Sequence, residues 1–551
     1  MKKYMVYPPV YLLLAFLFVV SCADDKGNYL YDEKEIISIE MPTQITALAF
    51  AETVNIEPVI TSNLRGNIEN KQQGFEFVSE VKNSDGDWVE LGEVNNKDVV
   101  IAPTLPANSY YARYSVIDKE TNVRYSKLFY LRYLTVTTEG WMLLCNEGAN
   151  NRVRLDMLSQ LSPERIVPAY DVLVTDNTVP ELTNASSLAF YANRRSIRNK
   201  IFMLTETAGY ILPTQDDSHQ GQLATLNEAF ELKKSLFLST TSDPIVKLYS
   251  IARLDYTNHD MIIGVSKGGD AYAWNVQSVG GAFELPINTS VRGGTPQFKV
   301  EPYIGTTLYR YTTGMQSYGV ALLYDKDNKR FIGWDSFEDT DGSTGRKQTT
   351  YPLTGTSSDN NLFSFTTGLN LVTMLNTLTT THSILQNGSE RVIYSINVMD
   401  NEFRQEGYYN NIEAPNFHVA SHYAASPQYP VIYYAYQNKV YAYNYITKEY
   451  KESVVLDENE EITLIKFNRF DEPQGVSLLV QNKSENQASE FRARENELLV
   501  ASYDNSSADV NGGKLRFYQT TSPGINLTLK PGWETVGYAR IVDVKYKEVR
   551  P

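Results

Sequence analysis

Cysteine is almost missing from this chain of 551 residues: it has two, Cys22 and Cys145. That excludes a disulfide framework and any Cys-x-x-Cys redox or zinc site. Histidine is scarce too, with five residues: His219, His259, His382, His418 and His422. Only His418 and His422 have a metal-ligand spacing, and Val419 stands where a zinc-peptidase motif needs Glu. The apolar run Val10 to Val20 has 11 residues, well short of the roughly 20 that a membrane-spanning helix requires. Phosphate-binding loops, dinucleotide fingerprints and kinase signatures are absent, so no cofactor is expected. No long window repeats with the helical period of 3.6. Positive charge is the minority: 50 Lys and Arg face 65 Asp and Glu, a net charge of −15. That balance argues against nucleic acid and against adhesion to anionic lipid through a basic patch.

What is abundant is tyrosine, 39 residues, with 22 phenylalanines and Val, Ile and Thr throughout. Such residues favour strands. With 42% hydrophobic and 21% charged residues the chain has the make-up of a globular protein. The fold class is therefore all-β.

The stretch Pro430 to Tyr450, PVIYYAYQNKVYAYNYITKEY, shows the repeating unit most clearly. An apolar strand meets a polar turn at Gln437-Asn438-Lys439, where Asn438 is expected to take the left-handed conformation. The returning strand puts Tyr441, Tyr443 and Tyr445 on one face and Val440, Ala442 and Asn444 on the other. Large rings on one side and small residues on the other suit sheets stacked on neighbouring sheets, as in propeller blades. Hairpins of the same plan occupy 140–158, 260–276, 318–337 and 383–398, and 199–214 and 477–504 are further candidate cores that do not share it. Seven units at roughly 59 residues each predict a β-propeller of about seven blades over 137–551, with long insertions. Val536 to Lys547 is expected to supply the strand that closes the ring. Before it, residues 36–136 read as about seven short strands, an immunoglobulin-like sandwich. Its turns are expected at Asn83–Asp87 and Asp118–Asn122. Cys145, in the apolar strand Trp141 to Cys145, is expected to be a buried core residue.

Residues 1–21 read as a signal segment, with Lys2 and Lys3 ahead of the apolar run. The segment Val19-Val20-Ser21-Cys22 resembles the lipobox of bacterial lipoproteins. The resemblance implies cleavage before Cys22, a diacylglycerol thioether on its sulfur and acylation, palmitate included, of its new amine. Loss of Lys2 and Lys3 would leave a mature charge of −17. Residues 22–35 then form a lipidated tether. Its Asp24 and Asp25 resemble the surface-export signal of Bacteroidetes lipoproteins, which implies an outer-membrane anchor facing the exterior. The stretch YARYSVIDKETNVRYSKLFYLRYLTV resembles the last hairpin of PKD domains. Taken whole, the chain resembles the PKD-like lipoproteins of Bacteroidetes. In setting these are similar to accessory lipoproteins of Sus-like TonB-dependent transporters, which import oligosaccharides or peptides.

Chemistry-bearing motifs are few. Gly264-Val265-Ser266-Lys267-Gly268 has the G-x-S-x-G form, but the residues after it read as a returning strand rather than a helix. Asp325-Lys326-Asp327-Asn328 and Glu338-Asp339-Thr340-Asp341-Gly342 supply calcium-type oxygens without EF-hand spacing, so no metal site is expected. A carboxylate pair for glycoside hydrolysis needs a separation that sequence does not provide. Aromatic rings that could stack on a sugar or grip a peptide are Trp274, Trp334, Tyr433, Tyr434 and Tyr436, each competing with a place in the propeller core. The expected function is a non-catalytic, surface-exposed lipoprotein that binds a glycan or peptide nutrient for a Sus-like transporter. The alternatives are a structural subunit of an outer-membrane complex and a propeller polysaccharide hydrolase or lyase.

Overall fold

The computed structural model describes residues 34–547 apart from 70–73, 93–94, 174–180, 192–199, 213–242, 252–260, 276–285, 290–295, 307–319, 336–349, 355–360, 378, 400–401, 469–492 and 508. Cys22, Asp24, Asp25, His219, His259 and the acidic run 338–342 therefore lie outside the described residues. The chain divides into a smaller unit, made chiefly of residues up to 131, and a larger one dominated by 132–551.

The smaller unit is built from short antiparallel strands. Its largest sheet places Phe75–Lys82 between Asn108–Asp118 and Trp88–Glu90. Period-two alternation buries Ala112, Tyr114 and Val116 on one face of the strand Asn108–Asp118. Smaller sheets of three and two strands complete the unit. Both expected turns form. Asn83 Oδ1 accepts the N–H groups of Asp85 and Asp87. The buried Asp118 carboxylate accepts the Glu120 N–H and the Thr121 hydroxyl, an Asx turn that frees no carboxylate for other work.

The larger unit is a β-propeller. Its described residues form seven successive antiparallel sheets of three or four strands. Seven hydrophobic clusters fill the seams, each joining one sheet to the next. One cluster joins the seventh sheet to the first, so the series is a ring. The C-terminal strand Arg540–Lys547 pairs antiparallel with Gly140–Glu147 inside the first blade. First and last segments of the ring thus share one sheet, as Val536–Lys547 was expected to allow, and no blade is left with an open edge at the junction.

Alternation explains the seams. In the sixth blade, Tyr433, Val440 and Ala442 face the seventh blade, whereas Tyr434, Tyr441 and Tyr443 face the fifth. Tyr434 stacks on Tyr441 at 5.2 Å and 12°. In the seam between blades seven and one, Trp141 meets Phe517, Trp533 and Tyr546 edge-on at 4.8–5.5 Å. Its indole N–H donates to Asn468. Gly140 precedes it with φ +139°, and a Cβ there would lie 2.2 Å from the Leu158 carbonyl oxygen. Only glycine lets the chain enter the blade at that angle.

Two local expectations are corrected. The left-handed residue of the 437–439 turn is Gln437, φ 53°, rather than Asn438. Asn438 instead donates its side-chain amide to the Leu456 carbonyl, tying the turn to the next loop. In the seventh blade the expected hairpin 477–504 is displaced: Glu497–Asp504 pairs forward with Gly513–Thr521 and back with Glu460–Phe467. The part of that expectation from 477 to 492 lies outside the described residues.

Candidate functional site

Around the propeller axis lies a cavity of about 330 Å³ to which every blade contributes from its innermost segment. Those segments are strands Ala185–Tyr191, Ile245–Ile251, Asn370–Asn376, His422–Ala425, Glu460–Phe467 and Arg540–Lys547, and in the fourth blade the stretch ending at Thr306.

Five of these inner strands carry a register irregularity. The skipped residues are Ser186, Val246, Val372, Thr463 and Val542, one per strand. A bulge adds one residue to a strand, kinks it and re-aims the side chains that follow. Here the residues directly after three of the bulges, Ser187, Lys247 and Asp543, all line the cavity. Ser186 Oγ donates to the Val246 carbonyl, holding two bulges together across a blade boundary.

Asp543 is the centre of this polar tier. Its Oδ1 receives the Lys466 ammonium at 2.7 Å and its own chain's Val544 N–H at 2.9 Å. Its Oδ2 receives the Leu188 N–H at 2.9 Å and the Ser187 hydroxyl at 3.2 Å. A carboxylate has about four acceptor positions, and all are taken. Burial by itself would raise its pKa. The Lys466 and Lys247 ammonium groups and the hydrogen bonds from Lys466 and Leu188 overcome that and hold it at about 2. Lys247 experiences the reverse: burial lowers its pKa, attraction to Asp543 offsets part of this, and repulsion from Lys466 adds to it. Among the described residues Lys247 has no carboxylate within 4 Å. Lys545 also lines the cavity, as do Asn376 and the Tyr249 ring. Among the described residues the wall thus holds three lysines and one carboxylate, in a chain whose net charge is −15.

The residues singled out from sequence lie elsewhere. Trp274 is buried between blades two and three, edge-on to Phe202 at 5.9 Å. Trp334 is buried between blades three and four, Tyr433 between six and seven, and Tyr434 between five and six. These four rings present no open face to solvent. Tyr436 is half-buried at the edge of the last of these seams. Ser266 sits in a strand–turn–strand hairpin, donating to Asp243 and accepting the Asp270 N–H. His418 belongs to a one-turn helix, Phe417–Val419, and His422 opens a strand. Asp325 is consumed by its own turn, accepting from Asp327, Asn328 and Arg330. Among the described residues no three His, Cys, Asp or Glu side chains gather as a metal ion would require. Cys145 is fully buried, and burial and the nearby Asp156 push its thiol pKa well up.

Residues 22–177 match the PKD-like family. That PKD-like segment takes in the sandwich strands and runs on through the first blade to its outermost strand, Arg165–Ala169. No curated protein matches the chain. Among solved structures, a quinonprotein alcohol dehydrogenase-like protein from Bacteroides thetaiotaomicron aligns at 10% identity over 91% of this chain and 96% of its own, with a TM-score of 0.37. A proposed 6-phosphogluconolactonase from Bacteroides fragilis aligns at 13% identity over 75% and 99%, TM-score 0.38. The extracellular domain of a proposed one component system from Bacteroides thetaiotaomicron aligns at 8% over 90% and 67%, TM-score 0.35. At such identities and scores none of their activities transfers to this chain.

Sequence reasoning passed over Lys247, Lys466, Asp543 and Lys545. A signal was there for three of them: Lys247, Lys466 and Asp543 each interrupt an apolar run, as in Ile245-Val246-Lys247-Leu248 and Ile541-Val542-Asp543-Val544. A charge in such a run is either a strand's solvent face or a functional site, and only the ring decides which.

A second feature belongs to the sandwich. Trp88, Tyr111 and Tyr130 form a row on the outer face of its main sheet, with ring centroids 6.0 and 5.3 Å apart. Tyr130 is exposed, and the Arg113 guanidinium lies 4.2 Å over Trp88 while paired with Glu80.

Proposed function

We propose that this chain is a non-catalytic, outer-membrane lipoprotein facing the exterior, whose propeller captures a glycan fragment or peptide for a Sus-like TonB-dependent transporter. The observation that carries the reading is the axial cavity. All seven blades line it, and its wall mixes ammonium, hydroxyl and amide groups with apolar strand, the composition of a small-ligand site. The lipobox ending in Cys22 and the acidic pair Asp24 and Asp25 support the anchor and its outward orientation. Several acyl chains give stable attachment where one would not.

Calorimetric titration of the full chain in detergent against neutral and acidic oligosaccharides and short peptides tests the capture reading. The same mixtures are analysed for cleavage products. Heat without products supports capture, and products replace it with a hydrolase or lyase. For the anchor, Cys22→Ala should abolish palmitate labelling. Replacing Asp24 and Asp25 with Asn should protect the protein from protease added to intact cells.

A structural-subunit reading is favoured by the aromatic row on the sandwich. An exposed ring flanked by two half-buried ones, beside a paired arginine, is a protein-docking composition. Cross-linking in intact cells that captures a partner through Tyr130 would support it, and a cross-link pattern confined to the propeller would sink it.

A further inference from the structure

The charge pattern of the cavity narrows what can occupy it, on the premise that the channel is the capture site. Asp543 has no acceptor position left: Lys466, Val544, Leu188 and Ser187 fill them. Lys247 sits close enough to feel Asp543, yet can donate no hydrogen bond to it without displacing one of those four. Lys247 is half-buried, and its ammonium, with no carboxylate partner among the described residues, is open to an acceptor from outside the chain. The buried carboxylates Asp325 and Glu460 do not line the cavity and are held by Arg330 and by Arg516 with Lys514. Among the described residues no Glu lines the cavity, and Lys545 is a further cation in its wall. The neighbouring Asp543 remains ionised, which disfavours a dianion more than a monoanion.

We propose that the channel takes the carboxylate of an acidic sugar or of a peptide, with the Lys247 ammonium as its counter-ion. The Lys466–Asp543 pair acts behind it as a positioning element. It fixes Lys247 by charge, and through Leu188 and Ser187 it joins the first blade's inner strand to the second's. Thr306 also lines the cavity, beside Asn376, whose side-chain amide is held by the Thr306 N–H, the Thr381 hydroxyl and the Ile304 carbonyl.

The test uses the full chain in detergent and paired probes differing only in charge. These are trigalacturonic acid against its methyl ester, and trialanine against its C-terminal amide. Inorganic phosphate and sulfate are run alongside. At least one acid should bind roughly tenfold or more tightly than its neutral partner, the size expected of one charge-assisted hydrogen bond. Lys247→Met should erase that preference while leaving the melting temperature within a few degrees, and Lys247→Arg should restore it. Which acid prefers the site distinguishes the sugar from the peptide source. Equal binding of acid and neutral forms overturns the charge inference and leaves capture standing. Preference retained in Lys247→Met overturns the role of this residue. Binding of phosphate or sulfate alone overturns the carboxylate class. Silence from every probe overturns the inference together with the capture reading beneath it.

Discussion

Tyr433 and Tyr434 are neighbours in sequence and belong to different seams. Tyr433 packs toward the seventh blade, 5.6 Å from Phe467, and Tyr434 toward the fifth, 5.1 Å from Phe417. A strand whose side chains alternate is a partition between two cores, and a ring of seven such partitions needs a large side chain on each face. Tyr434 also donates its hydroxyl to the Pro415 carbonyl at 2.7 Å. Tyr434→Phe should cost about 1 kcal/mol, and Tyr434→Ala about 3–5 kcal/mol for the cavity it opens. Urea denaturation checks both, and equal losses in the two variants would contradict the packing role.

The closing strand offers a sharper test of the ring. Deleting 540–551 removes the partner of Gly140–Glu147 and exposes the edge of an apolar strand containing Trp141 to Cys145. The truncated protein should aggregate or melt far below the full chain, because a bare apolar edge pairs with other copies. A monomer of unchanged melting temperature would show that the ring holds without its closure.

Acid should loosen the axis. Asp543 has a folded pKa of about 2 against an ordinary 3.8. A depressed carboxyl contributes stability that is complete above the ordinary value and lost as pH falls through the folded one. The contribution is roughly 2 kcal/mol. Asp543→Asn should therefore be less stable than the parent at pH 6, with the gap narrowing between pH 4 and pH 2. A gap constant over that range would show that Asp543 is not the charged partner of Lys466.

His382 acts at milder pH. It is buried, its Nδ1 lies 2.7 Å from the Ser395 hydroxyl, and burial lowers its pKa to about 4. The unfolded chain takes up a proton near pH 6.5 that the folded chain refuses until about pH 4. The neutral ring's contribution is thus complete above pH 6.5 and is lost as pH falls toward 4, by roughly 3 kcal/mol. His422 is shifted in the same direction by burial, so the comparison is with His382→Gln. The variant should lose less stability than the parent between pH 6.5 and 4.5, and parallel curves would contradict the assignment.

Much of the β architecture was legible because strand periodicity is local. The alternation in Lys439–Asn444 was readable from consecutive residues, and its two faces enter two seams as read. Turn detail was less legible. Asn438 and Gln437 are adjacent polar residues, and the pull of the Leu456 carbonyl on the Asn438 amide decides which one adopts positive φ. The displaced hairpin of the seventh blade has a similar cause: apolar Glu497–Asp504 can pair with a strand on either side, and in the ring it pairs with both.

By itself the sequence determined that the chain would be strands joined by polar turns, with rings and small residues on opposite faces. Those properties depend on residues two to five apart. The tertiary structure alone decided that Gly140–Glu147 is the strand with which Arg540–Lys547 pairs, and that Lys247, Lys466 and Asp543 line one cavity. Those residues are separated by about two hundred and about eighty positions along the chain. Nothing local sets which end of a strand faces the axis. That follows from the ring, which gathers the inner segments of the blades around one cavity and brings Ser187, Lys247 and Asp543, each directly after a bulge, to its wall.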